Sequence, residues 1–254
     1  MDTAILNGAI KLSPQYKLLV NRLRELRESN KPLPLLVDGV SDGALYSLIF
    51  SLIKEIKDLS GKPALILVPE ERRANKLNEF FKRCALKSEL YPVRDFNFYD
   101  MTASRELEHE RLKVLSGVFL GDIDAVVTTP DALLQYTTPK EILEKAIISV
   151  DKKAVIDISA FSKKLFDMGY TPASRVEGAG QYSVRGGIVD IFPSKCEYTI
   201  GKKVVNEQMP IRIELFGDEI DRMVTFDIES QRAKDKITSF KITPSTEIVA
   251  NDEQ

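Results

Sequence analysis

Apolar and polar residues follow two different rhythms along this chain, and the change near residue 136 divides it. In the first stretch, Ser13-Pro14 opens a helix, with proline where a missing N–H is harmless. Leu18, Leu19, Leu23 and Leu26 then recur at helical spacing up to Asn30. The apolar run Leu33–Val40, bounded by prolines, predicts a strand. After Gly43 a helix carries Leu45, Leu48, Ile49, Leu52, Ile53 and Ile56 on one face. A second strand is expected at Ala64–Val68, then a charged helix, EERRANKLNEFFKRC, that turns Leu77, Phe80 and Phe81 inward. Leu90–Val93 predicts a third strand, SRELEHERLKVLSGVF a helix and Ala125–Thr129 a fourth strand. Short, fully apolar strands alternating with helices argue a parallel sheet covered on both faces. Residues 1–135 are therefore expected to form a doubly wound α/β domain.

From residue 136 the pattern shifts toward period two. A strand near Ala146–Val150 and the helix ISAFSKKLFDMGY precede three extended runs: Gln181–Phe192, Pro210–Phe216 and Ile220–Ile228. Gly217-Asp218 joins the last two as a tight hairpin. A final strand is expected at Ile237–Ile242. Strands joined by hairpins beside one helix predict a smaller antiparallel α+β domain over 136–245, with a polar tail at 246–254. Val184, Ile188 and Ile191 are assigned to its core, with Arg185 and Asp190 outside.

Composition narrows the chemistry. With 43 % hydrophobic residues in 254, the chain can build sizeable cores. A net charge of −2 gives no global attraction to nucleic acid or anionic membrane. Cys84 and Cys196 form no C-x-x-C pair, so no zinc site or disulfide framework is indicated, and a reducing, cytoplasmic setting is expected. One histidine, His109, leaves little room for histidine-based catalysis or metal binding; it is expected at the surface. No signal peptide or membrane-spanning run is seen, and no membrane partner is expected.

The junction Leu33–Lys54 reads like a phosphate-binding loop that has lost its ligands. In the pattern G-x-x-x-x-G-K-[ST], backbone N–H groups cradle phosphate, the lysine reaches its outer oxygens and the hydroxyl binds magnesium. Counted from Gly39, those last three places hold Ala44, Leu45 and Tyr46. Gly39 and Gly43 remain, as a tight turn with Ser41 or Asp42 as helix cap. No acidic pair follows a parallel strand, so ATP hydrolysis is not expected: no catalytic residue, no metal, no cofactor.

Other charged stretches have plainer readings. Arg22, Arg24, Arg27, Arg72 and Arg73 fit solvated helix faces, and the helix at 104–119 reads as a surface helix packed by Leu107, Leu112, Leu115 and Phe119. The aromatic loop RDFNFYD offers rings for base stacking or for closing the end of a sheet. Arg175 and Arg185 flank a glycine-rich turn. Two readings stand for them: paired guanidiniums reading carboxylates of a partner, or charges spent on solvent, Glu177 and Asp190. Gly186-Gly187 predicts a bulge or a close backbone approach.

The segment GYTPASRVEGAGQYSVRGGIVDIFP, followed by IRIELFGDEIDRMVTFDIESQR, closely resembles the N-terminal region of the bacterial transcription-repair coupling factor (Mfd) family. It is also similar to the UvrA-binding domain of the excision-repair helicase UvrB. The helix ELEHERLKVLSGVF before DAVVTTPDALLQ resembles the first domain of both. The resemblance implies a UvrB-like module without nucleotide machinery: a degenerate P-loop domain followed by a UvrA-interaction domain. UvrB itself would carry an intact P-loop and a long DNA-clamping hairpin where this chain has the short loop Arg94–Thr102. By resemblance Arg175 and Arg185 match basic positions of the UvrA-contacting surface, with Tyr182 and Phe192 supplying or supporting apolar contact. RNA polymerase binding and ATP-driven DNA translocation would belong to other parts of such a factor. The competing readings are a UvrB-like helicase or ATPase module and a DNA-binding module.

Overall fold

The computed structural model describes residues 9–29, 34–94 and 106–247. Two compact units emerge, one of 1–91 with 121–132 and one of 92–120 with 133–254. The segment 92–120 groups with the second unit, whereas a single division at 135 was expected to leave it in the first.

The first unit begins with α1 (Pro14–Glu28), capped by Ser13, whose hydroxyl accepts from the Tyr16 N–H at 3.1 Å. Its buried stripe runs through Tyr16 and Val20; Leu18 is 73 % exposed and lies off it. The Tyr16 hydroxyl donates to the Ser51 carbonyl of α2 (Asp42–Ser60) at 3.0 Å. Gly61 ends α2 in the left-handed region, φ +66°, its N–H donating to the Lys57 carbonyl. Then come β1 (Ala64–Leu67), α3 (Glu71–Arg83), β2 (Ser88–Tyr91) and β3 (Ala125–Thr128). The strands form a parallel sheet in the order β1-β3-β2. Ile53 of α2 and Ala74, Leu77 and Phe81 of α3 pack with Ala64, Ala125 and Val127. Each fully buried Ile, Leu, Val or Phe among them contributes roughly 1.5–3 kcal/mol.

Two expectations fail here. Residues 34–40 form no strand, and Leu36 is 86 % exposed; Leu33 lies outside the described residues. Pro34 has no N–H to give a ladder, and Gly39 turns the chain at φ +69°. Double winding is not seen among the described residues of this unit: α2 and α3 pack with alternate strand residues on one face, while on the other Val126 is buried but Leu65 and Leu67 of the edge strand are about half exposed.

The second unit contains α4 (Glu106–Phe119), α5 (Lys140–Ala146), β4 (Ile148–Asp151) and α6 (Ile158–Asp167). The remaining strands are β5 (Thr171–Pro172), β6 (Gln181–Arg185), β7 (Ile188–Phe192), β8 (Cys196–Ile200), β9 (Lys203–Glu207), β10 (Ile211–Phe216), β11 (Glu219–Phe226), β12 (Ala233–Lys236) and β13 (Ser239–Ile242). They make a six-stranded sheet, β12-β11-β10-β7-β6-β5, and a four-stranded one, β4-β13-β8-β9. The inner faces of both sheets and Leu165 of α6 share one core, including Val189, Ile191, Ile211, Ile213, Phe240 and Ile242.

Within this unit α4 is no surface helix. Arg111, Leu112, Val114 and Ser116 are buried, and His109 is half-buried. Arg111 is fully buried because Glu247 meets it: its Nε lies 3.0 and 2.9 Å from the two carboxylate oxygens and its Nη2 2.9 Å from Oε1. Its Nη1 donates to the Pro92 carbonyl at 2.8 Å, and Arg94 makes a second ion pair with Glu247. Thr246 and Glu247 are thus anchored rather than part of a solvated tail; 248–254 lie outside the described residues.

Candidate functional site

The six-stranded sheet has one apolar face and one charged face, and strand alternation assigns each side chain. Tyr182, Val189, Ile191, Ile211, Ile213 and Met223 point into the core. The register pairs Ser183 with Asp190, Asp190 with Arg212, and Glu214 with Arg222, so these residues share the opposite face. Arg185 stands beside Ile188 on that face, and Gln181 beside Phe192.

At its centre Asp190 is fully buried, although it was expected outside. It faces outward but is covered by arginines. Arg185 Nη2 lies 2.6 Å from Oδ2, while Arg212 approaches both oxygens, Nε to Oδ1 at 2.6 Å and Nη2 to Oδ2 at 2.9 Å. The hydrogen bond to Asp190, outweighing partial burial, raises the Arg212 pKa further. The Arg212 guanidinium also sits 4.6 Å from the centroid of the Phe226 ring, a cation–π contact. One strand on, Arg222 holds Glu214 through two bonds, 3.1 and 2.5 Å.

A loop at 227–232 is pinned beside this face. Arg175 Nη2 donates to the carbonyls of Ile228 and Glu229 at 3.2 and 2.9 Å. Arg212 donates to the Gln231 carbonyl and side chain, both at 3.2 Å. Gln231 takes φ +60°, a strained value for a residue with a side chain, and its amide donates to the Ile228 carbonyl at 2.9 Å. The Asp227 carboxyl is held well below its usual range by hydrogen bonds from the Ser230 backbone and Lys234.

The glycine turn does what its sequence implied. Gly186 adopts φ +59° between β6 and β7, which splits the single run expected at Gln181–Phe192 into a hairpin. A Cβ on Gly187 would lie 2.8 Å from the Leu215 carbonyl oxygen, so the close approach is real. The ladder irregularity lies opposite, between Glu214 and Leu215 of β10.

Of the four residues tied to partner binding, Arg185 keeps 46 % of its side chain exposed and Arg175 is exposed, but both already hold intramolecular acceptors. Phe192 is half-buried on the outer face. Tyr182 faces the core, 6 % exposed, its hydroxyl 3.1 Å from that of Ser162 of α6, so it supports the sheet from beneath. Val184, assigned to the core, is 38 % exposed. Arg212, Glu214 and Arg222 were not singled out as site residues, although alternation in PIRIELF places Arg212 and Glu214 opposite Ile211 and Ile213.

In the first unit, Ser41 caps α2 by position without a side-chain hydrogen bond, and Asp42, Gly43 and Ala44 form the first helical turn. Tyr46 packs on Phe80, ring centroids 5.6 Å apart, and Leu45 is 38 % exposed. The aromatic loop at 95–105 lies outside the described residues. Among the described residues, no cluster of His, Cys, Asp or Glu could hold a metal, and no helix is long and apolar enough to cross a membrane.

Residues 148–248 match the family model of the UvrB interaction domain, a span that includes this whole charged face. Over 236 residues, 92 % of the chain, it is 31 % identical to the transcription-repair-coupling factor of Staphylococcus epidermidis and equally to that of Staphylococcus aureus. The chain is homologous to the transcription-repair-coupling factors. It spans 19 % of the length of those relatives.

Proposed function

We propose that this chain is the N-terminal portion of a transcription-repair coupling factor and acts as a non-catalytic adaptor that recruits UvrA. One observation carries the reading. A sheet inside the span matching the UvrB interaction domain presents a charged face, with Arg185 and Arg212 set on the buried Asp190 and Arg185 left half open. Guanidiniums already positioned by a carboxylate lose less freedom on meeting a partner's acidic groups. Arg175, Arg185, Arg212 and Arg222 would read UvrA carboxylates, with Phe192 as the apolar neighbour.

The first unit is, in this reading, a degenerate P-loop scaffold. Its support is a parallel sheet, a left-handed Gly39 before α2, and Leu45 and Tyr46 where phosphate and magnesium ligands would stand. No cofactor is required, and the setting is cytoplasmic. Contact with stalled RNA polymerase and ATP-driven movement on DNA belong to the remainder of a coupling factor.

Calorimetry of the chain with UvrA tests the proposal. Saturable binding by the wild type, lost in a folded Arg175→Ala/Arg185→Ala variant, is the expected result. Absence of binding by the folded wild type would overturn the adaptor reading. A rise in melting temperature with magnesium-ATP would overturn the degenerate-site reading.

A further inference from the structure

The second unit has another open surface, at the edge of its four-stranded sheet. β4 is the outermost strand and pairs only with β13 among the described strands. The Lys152 N–H donates to the Thr238 carbonyl at 3.0 Å. Hydrogen-bonded pairs alternate along an antiparallel ladder, so Ser149 and Asp151 turn their main-chain groups away from β13. The Asp151 carbonyl accepts from the Ala154 N–H, whereas the Ser149 N–H and C=O meet no backbone partner among the described residues. Together with the Ile147 carbonyl, they offer the start of a ladder to an incoming strand.

A groove of about 300 Å³ runs along this edge. Its far wall is α6, which contributes Ala160, Phe161 and Lys164. Val155, 72 % exposed, stands at one margin, where it bridges to Glu219. The lining holds two charged side chains, which are not equivalent. Asp157 caps α6 and accepts from the Ala160 N–H at 2.8 Å. Lys164 is exposed and has no ion-pair partner among the described residues. The groove therefore presents an unpaired strand edge, an aromatic wall and one uncommitted cation.

We propose that this groove binds an extended segment of a partner protein by strand addition to β4, with an aliphatic residue against Phe161 and a carboxylate at Lys164. Main-chain hydrogen bonds to Ser149 would supply affinity, and the two side-chain contacts selectivity. The face of the six-stranded sheet is not involved, so the groove can be occupied whether or not the UvrA reading holds.

Fluorescence anisotropy with a short labelled peptide of isoleucine, valine and glutamate provides the test. Three probes accompany it: the same peptide with lysine for glutamate, and two forms N-methylated on one or the other alternate set of amides. Saturable binding is expected, with one N-methylated form about tenfold weaker and the other unchanged. Ser149→Pro should weaken the parent peptide by a similar factor. Lys164→Glu should weaken it about fivefold and reverse the preference toward the lysine peptide. If Ser149→Pro fails to fold, the N-methylated pair asks the same question of the wild type. No saturable binding, or equal binding by both N-methylated forms, would overturn the proposal. So would sedimentation showing a dimer that Ser149→Pro dissolves, since a second copy would then fill the edge.

Discussion

Two carboxylates in the second unit are each gripped by two arginines, yet their surroundings differ. Glu247 lies between Arg111 and Arg94, whose side chains are 0 % and 14 % exposed. Asp190 lies between Arg212 and Arg185, 15 % and 46 % exposed. Both acids are fully buried, so the difference sits in the cations. The first cluster is closed: its charges left water on folding, and its directional bonds tie α4 to the segment after β13. The second keeps one arginine at the surface, already oriented. The same chemistry makes a structural clasp when both cations are covered and leaves an oriented, half-exposed guanidinium when one is not.

That contrast can be broken from either side. The largest effect is expected at the closed cluster. Glu247→Ala leaves Arg111 buried without its acid and should destabilise the second unit by about 3–5 kcal/mol in urea unfolding. Asp190→Asn should cost less, about 2 kcal/mol, because Arg185 can turn into water, but it should also abolish UvrA binding. Arg185→Ala should invert the pattern. Stability should change by less than about 1 kcal/mol, while calorimetry with UvrA shows a loss of about 2 kcal/mol or more. Smallest of all is Arg222→Ala, whose exposed pair with Glu214 should move stability by no more than about 1 kcal/mol.

Acid sharpens the comparison. Burial alone would push the Glu247 pKa up, but hydrogen bonds from Arg111 and Arg94 hold it below the usual glutamate range. A depressed folded pKa contributes stability above the unfolded value that is lost as pH falls through the folded one. Unfolding followed below the ordinary glutamate pKa should therefore show falling stability in the wild type and a flatter profile in Glu247→Gln. A profile identical in both would remove Glu247 from the account.

Much of the second unit was legible in sequence because its strands carry local signals. Gly217-Asp218 marks the β10–β11 hairpin, and alternation in PIRIELF sorts core from surface. The hairpin of β8 and β9 escaped notice although CEYTI alternates and Gly201 turns the chain at φ +61°, while AKDK of β12 has almost no apolar signal. In the first unit, a strand pattern at 33–40 misled because hydrophobicity outweighed the two prolines that deny it a ladder. In α1 the leucine spacing also does not reveal the buried stripe, which Tyr16 and Val20 take while Leu18 stays exposed.

By itself the sequence determined the change from a helix-rich to a strand-rich pattern and the tight packing at Gly187. Each depends on residues close together in the chain or on the absence of an atom. Only the tertiary structure decided which charges are buried. Arg111 meets Glu247 across 136 positions, and Arg212 meets Asp190 across 22. No local pattern records such pairings, because their energy depends on how much water the folded chain leaves around them.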